Sequence, residues 1–384
     1  MKTAGDYNGF ESGPIRPPSE AGSLILRVTR NCSWNRCRFC GLYKGEKFSL
    51  RPVDDVIKDI DSVKHCVDLI AECQSKTNGK GIAQIAATLA TRGQGSMLAF
   101  SAALNWIRGG MESVFLQDAN SMIVKPGNLV KVLDHIKQTF PGVKRTTSYA
   151  RSKTVMRIED EALQRLADAG LNRIHIGIES GSDEVLKMVD KGIDKAGHIL
   201  AGQKVKRAGI ELSVYYMPGL GGERFSHENA QETADAINRI DPDFIRIRSL
   251  AIAAGSGLYQ DVRAGTFTPL GDRKTAEELL LFIESLEGIH SCVKSDHILN
   301  LLPEVEGRLP EEKALMTAPL KRFLTMSEQD QLRFMVGRRT GIFTSLNDTT
   351  DPFLSMHAEQ AIVANEVTVE NVEAFSAAMM TRFI

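Results

Sequence analysis

The sequence predicts an α/β fold: a parallel sheet built from β-α-β units, wound as a partial or full (β/α) barrel, with a helical C-terminal extension. Three observations predict it. Short β-branched runs alternate with amphipathic helical runs at least six times. No reversal interrupts the series, which favours a barrel over a doubly wound sheet. From residue 303 onward the strand pattern is lost and the chain reads as helical.

The elements follow in order. Residues 1–22 are polar, with scattered Gly and Pro, and read as a loosely ordered arm. "SLILRVT" (Ser23–Thr29) is a strand that runs straight into a cysteine-containing loop. "VDDVIKDIDSVKHCVDLIAEC" has helical spacing, with Val53, Val56, Ile57, Ile60 and Val63 on one side. A break, "SKTNGKG", precedes an Ala- and Ile-rich helix from about Ile82 to Ile107, ended by Gly109 and Gly110. "SVFLQDAN", "VKRTTSYA", "NRIHIGIES", "IELSVYYMPG" and "DFIRIRSLAI" are strands. Between them lie helices at "GNLVKVLDHIKQTF", "EDEALQRLADAG", "DKAGHILAGQKVKRAG" and "SHENAQETADAINRI". Gly170 suits a left-handed C-terminal cap, and Ser226 an N-cap. In "TAEELLLFIESLEG", Thr275 and Glu278 have capping-box spacing. "SCVKSDHIL" reads as a weaker last strand. The organisation expected is an arm (1–22), a βα barrel (23–302) and a helical region (303–384).

Composition excludes several classes. The formal net charge is −1 and charged residues make up 25%, so no strong electrostatic case exists for a nucleic-acid or membrane partner. No signal-peptide core and no membrane-length apolar run is present, and the reading is a cytoplasmic protein. There, clustered cysteines point to metal rather than disulfides.

Three of the six cysteines fall in "RNCSWNRCRFCG", spaced Cys-x4-Cys-x2-Cys at Cys32, Cys37 and Cys40. Structural zinc wants four ligands, usually as two pairs. A distant Cys or His could complete such a set, which keeps a zinc-stabilised binding protein as an alternative. Cys66 and Cys73 lie seven apart on a helix and share no face well. They and Cys292 read as small packed residues. Three thiolates suit a [4Fe-4S] cluster with one iron left open for a chelating molecule.

At these residues the sequence resembles the radical SAM superfamily, whose usual signature is Cys-x3-Cys-x2-Cys with an aromatic before the last cysteine. Phe39 fills the aromatic position, and the first gap is one residue longer than usual. The likeness runs from about Ser23 to Leu258, and its nearest branch is that of oxygen-independent coproporphyrinogen oxidase and the elongator catalytic subunit. It implies the following site. Gln117, Asp118, Ala119 and Asn120 match a Gly-Gly-Glu-like segment that binds the SAM amino group; both glycines are absent, but Asp118 keeps a carboxylate. Ser148 in "TSYA" could reach the ribose or the amino-acid part. In "GIESGSDEVLKMVDKG", Glu179 and Ser180 match the ribose-contacting segment and Lys191 the basic residue for the SAM carboxylate. "YYMPGLGGE", with Met217, resembles a Leu-Pro-Gly turn, and "AGSGL" (Ala254–Leu258) a later Pro-Gly-Thr-Pro-Leu turn. No acetyltransferase-like segment, cobalamin signature or second cysteine cluster appears in these residues.

The resemblance implies reductive cleavage of S-adenosylmethionine to methionine and a 5′-deoxyadenosyl radical, then hydrogen abstraction from a substrate. It also implies a one-electron donor such as flavodoxin or ferredoxin. Strand alternation supplies a separate clue to the substrate. Ile174, Ile176 and Ile178 share one face, expected to meet helices; Arg173, His175, Gly177 and Glu179 share the other. By the same parity Arg27, Tyr215, Arg246 and Arg248 face inward with His175. The interior then reads as a cavity for a polar small molecule, an anion among the options, or as a set of internal ion pairs such as Glu179 with Arg246 or Arg248. Modification of tRNA or another macromolecule remains an alternative, resting on the short basic runs "RSKTVMR" and "KVKR".

Overall fold

The computed structural model describes residues 7–77 and 81–383; the predicted "SKTNGKG" break lies partly outside them. Its α/β elements form two compact units. The first comprises the described residues within 1–33, 45–175 and 204–211, and the second those within 34–44, 176–203 and 212–384.

In the first unit, β1 (Leu24–Arg27) is followed by a short antiparallel pair, β2 (Thr29–Arg30) and β3 (Ser49–Leu50). Next come α1 (Val53–Thr77), α2 (Ile82–Ala90), α3 (Gln94–Arg108), β4 (Ser113–Gln117), α4 (Pro126–Thr139), β5 (Arg145–Ala150), α5 (Ser152–Val155) and α6 (Asp160–Asp168). Strand β6 (Leu171–Glu179) begins in this unit and ends in the other. β1, β4 and β5 are parallel neighbours, with Leu26 beside Leu116 and Leu116 beside Ser148. Helix α1 buries Val56, Ile60, Val63 and Ile70. Their spacing of about one helical turn makes the core stripe, and each such side chain contributes about 2 kcal/mol by leaving water. Two acids, Asp54 and Asp55, sit in its first turn, where the helix dipole favours them.

The second unit takes the end of β6, then α7 (Asp183–Met188), most of α8 (Lys195–Arg207) and of β7 (Glu211–Tyr216), α9 (Ser226–Ile240), β8 (Phe244–Ile247), α10 (Gly257–Arg263) and α11 (Asp272–Ser285). β9 (Cys292–Lys294) and β10 (Gly307–Arg308) follow, then α12 (Lys313–Thr325), α13 (Glu328–Thr340), α14 (Pro352–Ala364) and α15 (Val372–Met380). β7–β8 and β8–β9 are parallel pairs, with Tyr215 beside Arg246 and Arg246 beside Lys294. β10 closes the run antiparallel to β9.

The parallel βα rhythm and the helical region after 303 follow the sequence expectation. Four local expectations are corrected. The helix expected over 82–107 is two helices, because Gly93 breaks it at φ +107°. Ser226 is the first helical residue rather than the cap; its hydroxyl donates to Glu278 at 2.6 Å. Thr275 and Glu278 form no capping box: α11 begins at Asp272, and Thr275 bonds back to Gly271. From residue 7 on, the arm is anchored rather than loose. Glu11 sits 2.5 Å from Arg30 and 3.3 Å from Arg51, Phe10 is buried, and Tyr7 donates to Asp59 at 2.8 Å. Burial of the Tyr7 phenol, next to the Asp59 charge, pushes its pKa up to about 12.

Candidate functional site

In the first unit the loop after β1 and the end of β4 share one polar network. Asp118 is fully buried. Its Oδ2 accepts from Arg27 Nε at 3.2 Å and Nη2 at 3.0 Å, and from the Asn31 backbone N–H at 3.2 Å. Gly13 of the arm lies against it: a Cβ there would stand 2.7 Å from Gln117 Oε1 and 2.9 Å from Asp118 Oδ2. Asn120 joins Ser33 and Thr154, both at 2.9 Å, and accepts from Arg151 N–H. Ser148 is buried and donates to the Tyr149 carbonyl, whereas Ala119 is half-buried.

His175 also belongs to this unit, packed beside the rings of Phe115 and Tyr149 and 3.6 Å from Glu20. Burial raises the Glu20 carboxyl, but hydrogen bonds from His175 and Ser23 and the charge of Arg145 more than offset this and leave it below its ordinary value.

In the second unit the rest of the cysteine loop is held by its neighbours. Arg38 bridges two helices through its backbone: its N–H donates to Val189 at the end of α7, and its carbonyl accepts from Leu258 in α10. Its guanidinium pairs with Asp261 at 2.5 Å. Gly257 permits this approach, since a Cβ there would lie 3.0 Å from Arg38 Cβ. The Trp34 indole donates to the Asp190 carbonyl at 2.7 Å and lies flush against Gly192. Two asparagines in left-handed backbone, Asn31 in the first unit and Asn35 in the second, stabilise the loop ends by bonding the carbonyls of Lys47 and Tyr43, respectively.

Phe39 packs on an apolar cluster that includes Val189, Met217, Leu220 and Leu258. Lys191 Nζ stands 5.6 Å from its ring centre and 3.2 Å from Glu179 Oε1. Glu179 ends β6 at φ +67° and folds back over Gly177, where a Cβ would meet its carboxylate at 2.1 Å. Its carbonyl accepts from the Met217 N–H at 2.9 Å. The second unit therefore gathers Phe39, Glu179, Lys191 and Met217. Ser180 is buried beside them in sequence and accepts from the Ser182 N–H.

Two of the arginines expected to face inward are internally paired, and a third is not inside. Arg173 pairs with Glu211 at 2.8 Å and Arg246 with Asp296 at 2.5 Å. Tyr215 is half-buried next to Arg246, and Arg248 is exposed. Glu179 pairs with Lys191, not with either arginine named from parity.

Cys32, Cys37 and Cys40 are half-buried thiols on one irregular loop, with no disulfide. Among the described residues no three His, Cys, Asp or Glu side chains converge as for a metal ion. The donor chemistry of the loop fits an iron-sulfur cluster, which wants thiolates. Strand parity missed Asn31, Asn35, Arg38 and Asp261. Two asparagines flanking cysteines within a loop were a usable turn signal; the Arg38–Asp261 pair, 223 residues apart, had none.

Residues 105–236 match the family model described as the radical SAM superfamily. Curated relatives include the tRNA uridine(34) acetyltransferases of Methanocaldococcus infernus, 24% identical over 119 residues, and of Dehalococcoides mccartyi, 24% identical over 144 residues. The matches cover 31% and 37% of this chain, but only 22% and 31% of those relatives' own lengths. Among solved structures, methylornithine synthase aligns over 77% of this chain and 68% of its own, at 14% identity and TM-score 0.43. Coproporphyrinogen III oxidase from Escherichia coli aligns over 60% and 44%, at 14% identity and TM-score 0.39. No described helix is long and apolar enough to cross a membrane. By this match residues 105–236 carry a radical SAM domain, and the enzymes of that superfamily work with a [4Fe-4S] cluster and S-adenosylmethionine.

Proposed function

We propose that this enzyme acts on a small organic molecule, with Cys32, Cys37 and Cys40 as the cluster ligands. When bound, the cluster and S-adenosylmethionine supply a 5′-deoxyadenosyl radical for hydrogen abstraction. The chain's own residues bind, orient and shield. Three thiolates leave one iron without a protein ligand. Phe39 and the apolar cluster behind it keep water from one side of the loop. Lys191 presents an ammonium suited to a ligand carboxylate, and Glu179 a carboxylate suited to ribose hydroxyls. Asp118 and Asn120 hold the other strand end in shape. The observation that carries the reading is the docking of Phe39 in one place with Lys191, Glu179 and Met217.

A tRNA substrate is the second reading, favoured by the tRNA acetyltransferase activity of the curated relatives. The basic runs give it little support: Lys204 bonds the Ile158 carbonyl and pairs with Asp160 at 3.0 Å. The deciding experiment is anaerobic reconstitution with iron and sulfide, reduction with dithionite in the presence of S-adenosylmethionine, and quantification of 5′-deoxyadenosine. The parent should form it and Cys37→Ala should not. Copurifying zinc, with no cluster and no nucleoside, would overturn the proposal. Titration of tRNA at two salt concentrations separates the substrates, since phosphate contacts weaken steeply with salt.

A further inference from the structure

The second unit holds a pocket of about 270 Å³, near the lower limit of roughly 300 Å³ for ordinary ligand sites. Its walls follow the C-terminal ends of parallel strands: Gly219 comes after β7, and Ser249–Ile252 after β8. Ligands bind at such ends in βα folds. Leu250, Ile252 and Val262 line it, and they also pack on the cluster that receives Phe39. The pocket and the cysteine loop thus share one apolar wall.

Helix α15 supplies the remaining side, through Glu373, Ser376, Ala377 and Met380. These lie at i, i+3, i+4 and i+7, a single stripe. Ser376 is 2% exposed, and its hydroxyl has no hydrogen-bond partner. A buried hydroxyl without one is uncommon and points to a missing group. Glu373 accepts the backbone N–H groups of Asp272 at 2.6 Å and Arg273 at 3.3 Å. No described lysine or arginine forms an ion pair with it, whereas Asp272 is bound by Arg339, with Nε at 3.1 Å. Burial, and then the nearby Asp272 charge, raise the Glu373 carboxyl above its ordinary value. A cation placed there would reverse that.

We propose that this pocket holds the apolar body and ammonium group of a primary amine, with Glu373 and Ser376 receiving the nitrogen, and that this is the substrate class of the enzyme proposed above, on which reading it rests.

The test is calorimetric titration of the full chain with phenethylamine, 2-phenylethanol and 3-phenylpropionate. The amine should bind at least tenfold more tightly than the other two. Glu373→Gln should erase that preference, and Ala377→Trp should weaken the amine at least tenfold by filling the pocket. Ala377 is exposed, so this second variant keeps the test decisive if the first melts early. Equal binding of all three probes, no binding, or an amine affinity untouched by Ala377→Trp would overturn the proposal. The titration needs no cluster. Nucleoside formation without amine binding removes only this inference; amine binding without nucleoside removes the assigned chemistry and leaves the pocket.

Discussion

Asp118 and Glu179 occupy the same kind of position, a carboxylate at the C-terminal end of a parallel strand, one in each unit. Asp118 is sealed: two Arg27 nitrogens and one backbone N–H share a single oxygen, and Gly13 of the arm closes the approach. Glu179 keeps one ion pair, to Lys191, with 13% of its side chain exposed and a left-handed backbone. The difference teaches that a strand end offers a location only. Under the proposed function, the carboxylate wrapped by arginine and arm holds its strand end in shape, and the one beside a lysine and an aromatic ring, at the margin of an apolar cluster, receives a ligand.

The largest test removes the clamp. Asp118→Ala leaves Arg27, which is half-buried and 4.0 Å from Glu11, without its principal acid, and about 3 kcal/mol of stability should be lost in urea unfolding. A loss below 1 kcal/mol would show that the site is less sealed than its geometry. Next is the seat of Trp34. Gly192 has φ +75°, and an added Cβ would stand 2.3 Å from the indole. Gly192→Ala should cost about 2 kcal/mol by strain and overpacking, read as a lower melting temperature; an unchanged one would mean that the loop is held without that seat.

A pH series sharpens the comparison from another side. Burial first, and the Arg248 charge second, push the His297 imidazole down to about 4. The folded state therefore resists a proton that the unfolded chain accepts near pH 6.5. Its contribution is complete above that value and is lost as pH falls toward 4, about 2 kcal/mol by pH 5. His297→Gln should flatten this slope in denaturation midpoints; an unchanged slope would assign it to other groups. The smallest stability effect belongs to Glu179→Gln, about 1 kcal/mol, yet nucleoside formation should fall at least tenfold. If Glu179→Gln keeps full activity, the open carboxylate is not a ligand group.

Much of this was legible in the sequence. Periodicity and strand alternation found the βα rhythm, and spacing found the cysteine loop. Parity placed Arg173, His175 and Arg246 on a polar face but could not name their partners. Glu211, Glu20 and Asp296 lie 38, 155 and 50 residues away, and such pairings depend on register and loop path. Gly93 as a breaker was readable; Glu373 reaching the N-terminus of α11 from 101 residues downstream was not. A cap supplied from a distance, as Glu373 is to α11, leaves no local pattern, so Thr275 is not its cap; Ser226 is drawn instead into a bond with Glu278, 52 residues away.

The seat of Trp34 has a consequence for spectroscopy. The chain has two tryptophans. Trp106 is fully buried, donates to the Ser113 carbonyl and meets Phe140 edge-on, so its emission should be blue-shifted and constant. Trp34 sits two residues from Cys32, half-exposed and under the Arg36 guanidinium. In a Trp106→Phe background, fluorescence would report the cysteine loop alone, and iron or zinc loading could be followed by quenching in real time.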